Sequence, residues 1–192
     1  MDFELKSLVD TLNPQCRKSL EAAAGLCVSQ TNYNVEIEHL VLKMVEMPGT
    51  DVAQILRRFD IDSSQAVREL TFAVDLLKRG NSGTPALSPH ISELIREGWL
   101  ISSLHLRGGN VRTGALLLAL LDTPTLRGLL ADSAPALMRI QRDELRREIR
   151  DIIAGSVEDS TATAPAVTGT KNGAATTGKT EALDLYTHDL TA

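Results

Sequence analysis

The chain contains one pattern twice. Aligning Leu12-Asn13-Pro14 with Leu87-Ser88-Pro89 sets an offset of 75 residues, which brings Leu20 onto Ile95 and Leu26 onto Ile101. One inserted residue moves the offset to 76, and Val35 then meets Val111, Leu40 meets Leu116, Leu42 meets Leu118 and Val45 meets Leu121. A unit of this size that recurs is one whose apolar face needs a neighbour, so two copies stacked on a shared core are expected. Each copy reads as a long helix, a polar loop, a short apolar helix and two further helical pieces.

Local signals agree with an all-α domain over residues 1–154, with repeats at about 12–80 and 87–154. Asn13-Pro14 and Ser88-Pro89 each give an N-cap followed by Pro at the first helical position. Asp62-Ser63-Ser64 and Ser133-Ala134-Pro135 are further start signals. Apolar residues recur at helical spacing: Cys16, Leu20, Ala23, Ala24, Cys27; Ala66, Leu70, Val74, Leu77; Ile91, Leu94, Ile95, Trp99; Leu137, Ile140, Leu145, Ile149, Ile152. No period-2 stretch stands out as a strand. The piece Leu116–Leu121 is apolar almost all round and should be central. Gly25 and Gly98 fall inside helices, where each costs about 1 kcal/mol against Ala, so each is expected to mark a close helix contact. Residues 2–12 precede the first repeat and form a short amphipathic helix with Leu5, Leu8, Val9 and Leu12 on one side. A charge-rich helix is expected from about Leu137 to Ala154. Its Asp143–Arg147 and Glu144–Arg147 spacings suit a solvated, self-paired face. Its excess of arginine also leaves room for phosphate or an acidic partner.

Composition narrows the function. Lys+Arg 20 against Asp+Glu 25 gives a net charge of −5, without the basic footprint of a nucleic-acid or anionic-lipid binder. Aromatics are 3% of the chain, too few for stacking platforms. The longest apolar run, Ala115–Leu121, is far below the ~20 residues that span a bilayer. The start Met-Asp-Phe-Glu-Leu-Lys is unlike a signal peptide. A cytosolic, soluble protein is expected, with no nucleic-acid or membrane partner. Between Gly155 and Thr180 the composition shifts: Thr, Ala and Gly supply 16 of 26 residues, and Leu, Ile, Phe, Trp and Tyr are absent. That stretch is expected to be a flexible linker, 155–180. Apolar periodicity returns at residues 181–192, as if a second unit were beginning.

Catalytic and ligand motifs are weak. Gly173-Ala-Ala-Thr-Thr-Gly178-Lys179-Thr180 satisfies the P-loop pattern. However, no apolar strand precedes it, and only 12 residues follow. The backbone cradle that binds phosphate needs both strand and helix, so the match is read as linker composition. His39, His90, His105 and His188 show no metal-ligand spacing with each other or with cysteine, and no catalytic, metal or cofactor residue is assigned. Glu38-His39 reads as a helix-start acid and a packed histidine. Cys16 and Cys27 share one helix face about 16 Å apart along the axis, too far to bridge. They are expected as small core hydrophobes.

The better lead is apolar surface. Thr84-Pro85-Ala86-Leu87 joins the repeats, and Ala86 and Leu87 are expected at a surface groove. If helix 2–12 lies beside it, Leu5, Leu8 and Leu12 line the other wall. A groove of this kind takes up a partner's amphipathic helix. The same short helix would also serve simply to cap the core.

These residues resemble a known family. The paired segments Leu12-Asn-Pro…Leu20 and Leu87-Ser-Pro…Ile95 are similar to the Clp N-terminal domain repeat. So are Val35-Glu-Ile-Glu-His-Leu-Val-Leu-Lys-Met-Val45 and Val111-Arg-Thr-Gly-Ala-Leu-Leu-Leu-Ala-Leu-Leu121. Residues Leu12–Cys27 and Gly80-Asn-Ser-Gly-Thr-Pro-Ala-Leu-Ser-Pro89 look like the ClpV branch, the AAA+ unfoldases of bacterial type VI secretion systems. Ala182–Ala192 is similar to the start of the first ATPase module in ClpB-type proteins. The resemblance implies a Clp N-domain fold with an extra N-terminal helix at residues 2–12. It implies a non-enzymatic recognition domain without cofactor, in the bacterial cytoplasm. It also implies that the parent protein is a hexamer held by ATPase modules, and that the isolated chain is a monomer. The implied partner is the N-terminal helix of the large subunit of a contracted sheath. It would be bound in a groove lined by Leu5, Leu8, Leu12, Ala86 and Leu87, with Arg17 as polar anchor. Two alternatives stand beside it: a general Clp domain that binds adaptors or unfolded polypeptide, and an NTP hydrolase using Gly178-Lys179-Thr180.

Overall fold

A computed structural model describes residues 2–106 and 108–159, with side chains from Lys6 onward. The Gly173–Thr180 motif, residues 181–192 and most of the expected linker lie outside the described residues. In chain order the elements are α1 (Asp2–Asp10), α2 (Pro14–Ser29), β1 (Asn34–Val35), α3 (Ile37–Glu46), α4 (Asp51–Arg58), α5 (Ser63–Asp75), β2 (Ala86–Leu87), α6 (Pro89–Ile101), α7 (Thr113–Asp122), α8 (Pro124–Ser133) and α9 (Arg142–Ile153). A π-helical turn, Ser102–Leu106, continues α6, and a 3₁₀ turn, Pro135–Arg139, precedes α9.

The helices start where the sequence places caps. The Asn13 side chain accepts the Cys16 N–H at 2.8 Å and the Asp62 side chain accepts the Ser64 N–H at 2.9 Å. Ser88 caps α6 through the His90 N–H at 3.3 Å. The expected helix from Leu137 is shorter than anticipated: Pro135 opens the 3₁₀ turn, and α9 begins at Arg142. Its charges also pair with neighbouring elements. Arg58 of α4 reaches Glu144 at 2.6 Å and Glu148 at 3.1 Å, while Arg146 reaches Asp122 at 2.5 Å.

The two copies are α2–α5 and α6–α9, and they exchange edges. Val35 pairs in parallel with Leu87, and Leu12 pairs in parallel with Val111. Under the 75/76 offset these are the same pair with the copies swapped, since Leu87 is equivalent to Leu12 and Val111 to Val35. The hydrogen bonds repeat as well: Asn13 N–H donates to Val111 O at 2.9 Å, and Ser88 N–H donates to Val35 O at 3.0 Å. Two-residue pairing has no room for period-2 alternation, which is why periodicity did not reveal it.

One core runs through both copies. Every residue of α7 from Thr113 to Leu121 is buried, which confirms its central place. Cys16 and Cys27 are buried free thiols. Gly98 is the expected close contact: a Cβ there would lie 2.7 Å from Leu116 Cδ2 and 3.1 Å from Val111 Cγ1. Gly25 is not, because a Cβ there would meet nothing within 4 Å. Trp99 also departs from expectation. The buried stripe of α6 is Ile91, Leu94, Ile95 and Gly98, continued by Ser102, which leaves Trp99 43% exposed.

His39 ties the loop after α2 to the connection between copies. It is fully buried. Its Nδ1 accepts the Glu36 N–H at 3.0 Å, so its Nε2 carries the proton toward Asn32 Oδ1, 3.0 Å away. Asn32 in turn donates to Lys78 O at 3.1 Å and bridges Arg79. Burial lowers the His39 pKa below its ordinary value, against the pull of Glu36. The neutral ring is therefore part of the fold.

Two outcomes test these contacts. Gly98→Ala forces an overlap in the core and should cost about 1–3 kcal/mol, whereas Gly25→Ala should gain about 0.5–1 kcal/mol; paired urea unfolding curves decide both signs. Stability should also fall as pH drops below about 6.5, the ordinary histidine value, because the unfolded chain protonates first. His39→Gln should flatten that part of the pH profile, measured as the urea midpoint between pH 7.5 and 5.5. An unchanged slope would show that His39 does not set it.

Candidate peptide-binding face

Helix α1 packs on α6 and precedes the first copy, with no helical counterpart before the second. The stretch equivalent to it at the offset of 75, Leu77–Pro85, is not helical. Leu8 and Val9 are half-buried against the core. The C-terminus of α1 is held by charge and hydrogen bonding. Arg17 Nη2 lies 3.4 Å from Val9 O and 3.5 Å from Asp10 O, with the Asp10 carboxylate at 4.0 Å. A cation at the carbonyl end of a helix complements its dipole. Arg17 is thus occupied in seating α1.

The other candidates divide between two places. Leu12 is 3% exposed and pairs with Val111, so it is the floor under α1. Leu5 lies in α1, with its side chain outside the described part. Ala86 is exposed and Leu87 half-buried, in β2 at the start of α6. Val111 lies against Gly98, ten residues along α6 from Ser88. That separation is a rise of about 15 Å. The structure therefore sets Leu8, Leu12 and Arg17 at one end of this strip and Ala86 and Leu87 at the other, with α6 between them.

Sequence reasoning missed Trp99 and Leu100. They are 43% and 40% exposed on the last turn of α6. The signal was present: Gly98 and Ser102 continue the stripe begun by Ile91, Leu94 and Ile95, so Trp99-Leu100 falls beside it. Beside the Leu12–Val111 pair lies a polar cluster built around Asp51, Arg112 and Glu158. Burial raises the Asp51 carboxyl above its ordinary range, against the bond from Arg112, and Glu158 adds to the rise. Among the described residues no group of three or more His, Cys, Asp and Glu is placed to hold a metal ion. Among them, no single helix is long and apolar enough to cross a membrane.

Comparison with known proteins matches the fold. The AAA+ ATPase ClpV1 of Pseudomonas aeruginosa is 32% identical over 193 residues, covering 96% of this chain and 21% of that protein. The chain spans 21% to 22% of the length of the curated relatives it matches. A solved structure from work on the coevolution of the ATPase ClpV, the TssB-TssC sheath and the accessory HsiE protein superposes with a TM-score of 0.75. It is 32% identical, and the match covers 79% of this chain and 94% of that one. A complex of a ClpV N-domain with a VipB peptide gives a TM-score of 0.68 at 29% identity, covering 80% of this chain and 94% of that one. Residues 11–133 match the family model of the Clp repeat (R) N-terminal domain, and the chain belongs to that family.

Proposed function

We propose that this chain is the substrate-recognising N-domain of a type VI secretion unfoldase in the bacterial cytoplasm. It binds the N-terminal helix of a sheath's large subunit, so that ATPase modules elsewhere in the protein can dismantle the contracted sheath. The domain itself recognises and does not catalyse. The observation that carries this reading is α1, an amphipathic helix added to one copy of a duplicated fold and laid on α6. The similar ClpV N-domain in complex with a VipB peptide supports it.

The geometry suits a helical ligand. A strip about 15 Å long accommodates roughly ten helical residues at 1.5 Å each. Leu8 at one end and Ala86 and Leu87 at the other supply apolar anchors, with Trp99 and Leu100 along the same helix. Leu5 lies three residues before Leu8 in α1, Leu12 supports that helix from below, and Arg17 fixes its end. An isolated helix loses conformational freedom on docking, so a single site binds modestly. Six copies in a hexamer compensate by avidity. The isolated domain is monomeric in this reading.

Calorimetric titration with a peptide carrying the N-terminal helix of the large sheath subunit tests the proposal. Saturable binding is expected, and none by a scrambled peptide of equal composition. Leu8→Asp and Leu87→Asp should each weaken binding at least tenfold while leaving the helical circular dichroism unchanged. Retained affinity in both variants sinks the assignment of the face. Binding of unfolded polypeptide in place of the sheath peptide points to the general Clp reading.

A further inference from the structure

The composition of residues 155–159 reads as linker, yet the structure folds them into the domain. The boundary expected at Ala154 is therefore displaced to beyond Asp159. Glu158 is 0% exposed and Ser156 is buried. The Glu158 carboxylate collects four donors. Oε1 accepts the Asp51 N–H at 2.8 Å and the Thr113 hydroxyl; Oε2 accepts Asn13 Nδ2 at 2.6 Å and the Thr113 N–H at 2.9 Å. These donors stand at the starts of α2, α4 and α7. Arg112 extends the hold. Its Nε and Nη2 grip the Asp51 carboxylate at 2.8 and 2.7 Å, and Nη2 also reaches Ser156 Oγ at 3.0 Å and Asp159 at 2.8 Å. The Val157 N–H donates to Gly49 O at 3.0 Å.

The placement of these donors is what matters. The Leu12–Val111 pair lies at the root of α1, and the chain on both sides of it runs straight into the Glu158 site. Asn13 follows Leu12, and Arg112 and Thr113 follow Val111. The pair is made by the Asn13 N–H on Val111 O and by the Val111 N–H on Thr11 O at 2.7 Å. Both bonds are distinct from those to Glu158. The hold on residues 155–159 is also mainly polar: Val157 is 46% exposed, and the buried carboxylate of Glu158 regains water on leaving. Segments held by few apolar contacts open without global unfolding.

We propose that residues 155–159 form a releasable strap coupled to α1: the docked strap closes the Leu12–Val111 pair and seats α1, and release of the strap loosens it. This rests on the α1–α6 reading only for its functional meaning. A partner that binds seated α1 then holds the strap down, and by linkage a strap pulled free lowers affinity for the partner by the same factor. The two-state element is the strap itself, docked or free.

Hydrogen exchange on the full 192-residue chain tests this. Glu158→Gln keeps the side-chain shape and replaces one acceptor oxygen by an amide NH2, which then faces two of the four donors. It should raise exchange across residues 155–159, and with it exchange of the Asn13 and Val111 amides, at least tenfold. Leu126 and Leu130 in α8, remote from the strap, should not change. A strap that opens while Asn13 and Val111 keep their protection overturns the coupling. Should Glu158→Gln lose its helical circular dichroism, Ser156→Ala, which removes only the hydroxyl between Asp51 and Arg112, gives the same reading with a smaller rise. Saturating sheath peptide should slow exchange at 155–159 in the native chain, and Glu158→Gln should weaken that peptide by no more than the same factor. Exchange at 155–159 that the bound peptide leaves unchanged refutes the linkage. No peptide binding by the native chain refutes the functional reading and leaves the exchange result to decide the strap.

Discussion

One carboxylate, that of Glu158, joins the starts of three helices drawn from both copies of a duplicated unit: it accepts the first N–H groups of α4 and α7 and the side-chain amide of Asn13, the cap of α2. Helix starts present N–H groups with no partner inside the helix, and burying them unpaired is costly. Here residue 158 supplies the acceptor for the starts of α4 and α7, while Asn13 caps α2 itself and adds its side-chain N–H to the same carboxylate. The charge is tolerable because it receives four donors and because Arg112 neutralises the neighbouring Asp51. Gly114 belongs to the same constraint: a Cβ there would lie 2.9 Å from Asp51 Cβ, so α7 and α4 approach more closely than any side chain allows. A residue outside both copies thus ties their helix starts together, beside the shared core and the exchanged edges that hold the copies to each other.

The symmetry of the duplication explains the rest of the architecture, and its breaking explains the candidate site. Each copy lends the segment before its long helix to the other copy. At the Val35–Leu87 pair nothing helical precedes the segment, and Ala86 stays exposed. At the Leu12–Val111 pair α1 covers the equivalent position, held by Arg17, and Leu12 is buried. His39 and Asn32 brace the first pair, whereas Glu158 braces the second.

Much of this was legible in the residues. Caps at Asn13, Asp62 and Ser88 and the 75/76 offset located the helices and the shared core, because these signals are local or repeated. The family resemblance came from the same segments. The limits were physical. A two-residue bridge has no period, so the exchanged edges were invisible. Trp99 followed the spacing of core residues, yet Gly98 and Ser102 had already filled the buried stripe. Residues 155–159 look like linker because one buried glutamate among polar neighbours carries no pattern. What it touches lies 145 residues away at Asn13 and 107 away at Asp51. The candidate face was legible only as its two ends; that α6 lies between them required the fold.

The reliance on residue 158 has a consequence for how the chain is made. Synthesis runs from the N-terminus, so Asn13 leaves the ribosome well before Glu158, by on the order of ten seconds at ~5–20 residues per second. The first copy gains its borrowed edges only as Leu87 and Val111 emerge, and the N–H groups at the starts of α4 and α7 wait for their acceptor until residue 158 follows. Both copies have therefore left the ribosome before the carboxylate that ties their helix starts together, so the bonds to residue 158 are among the last the domain can make.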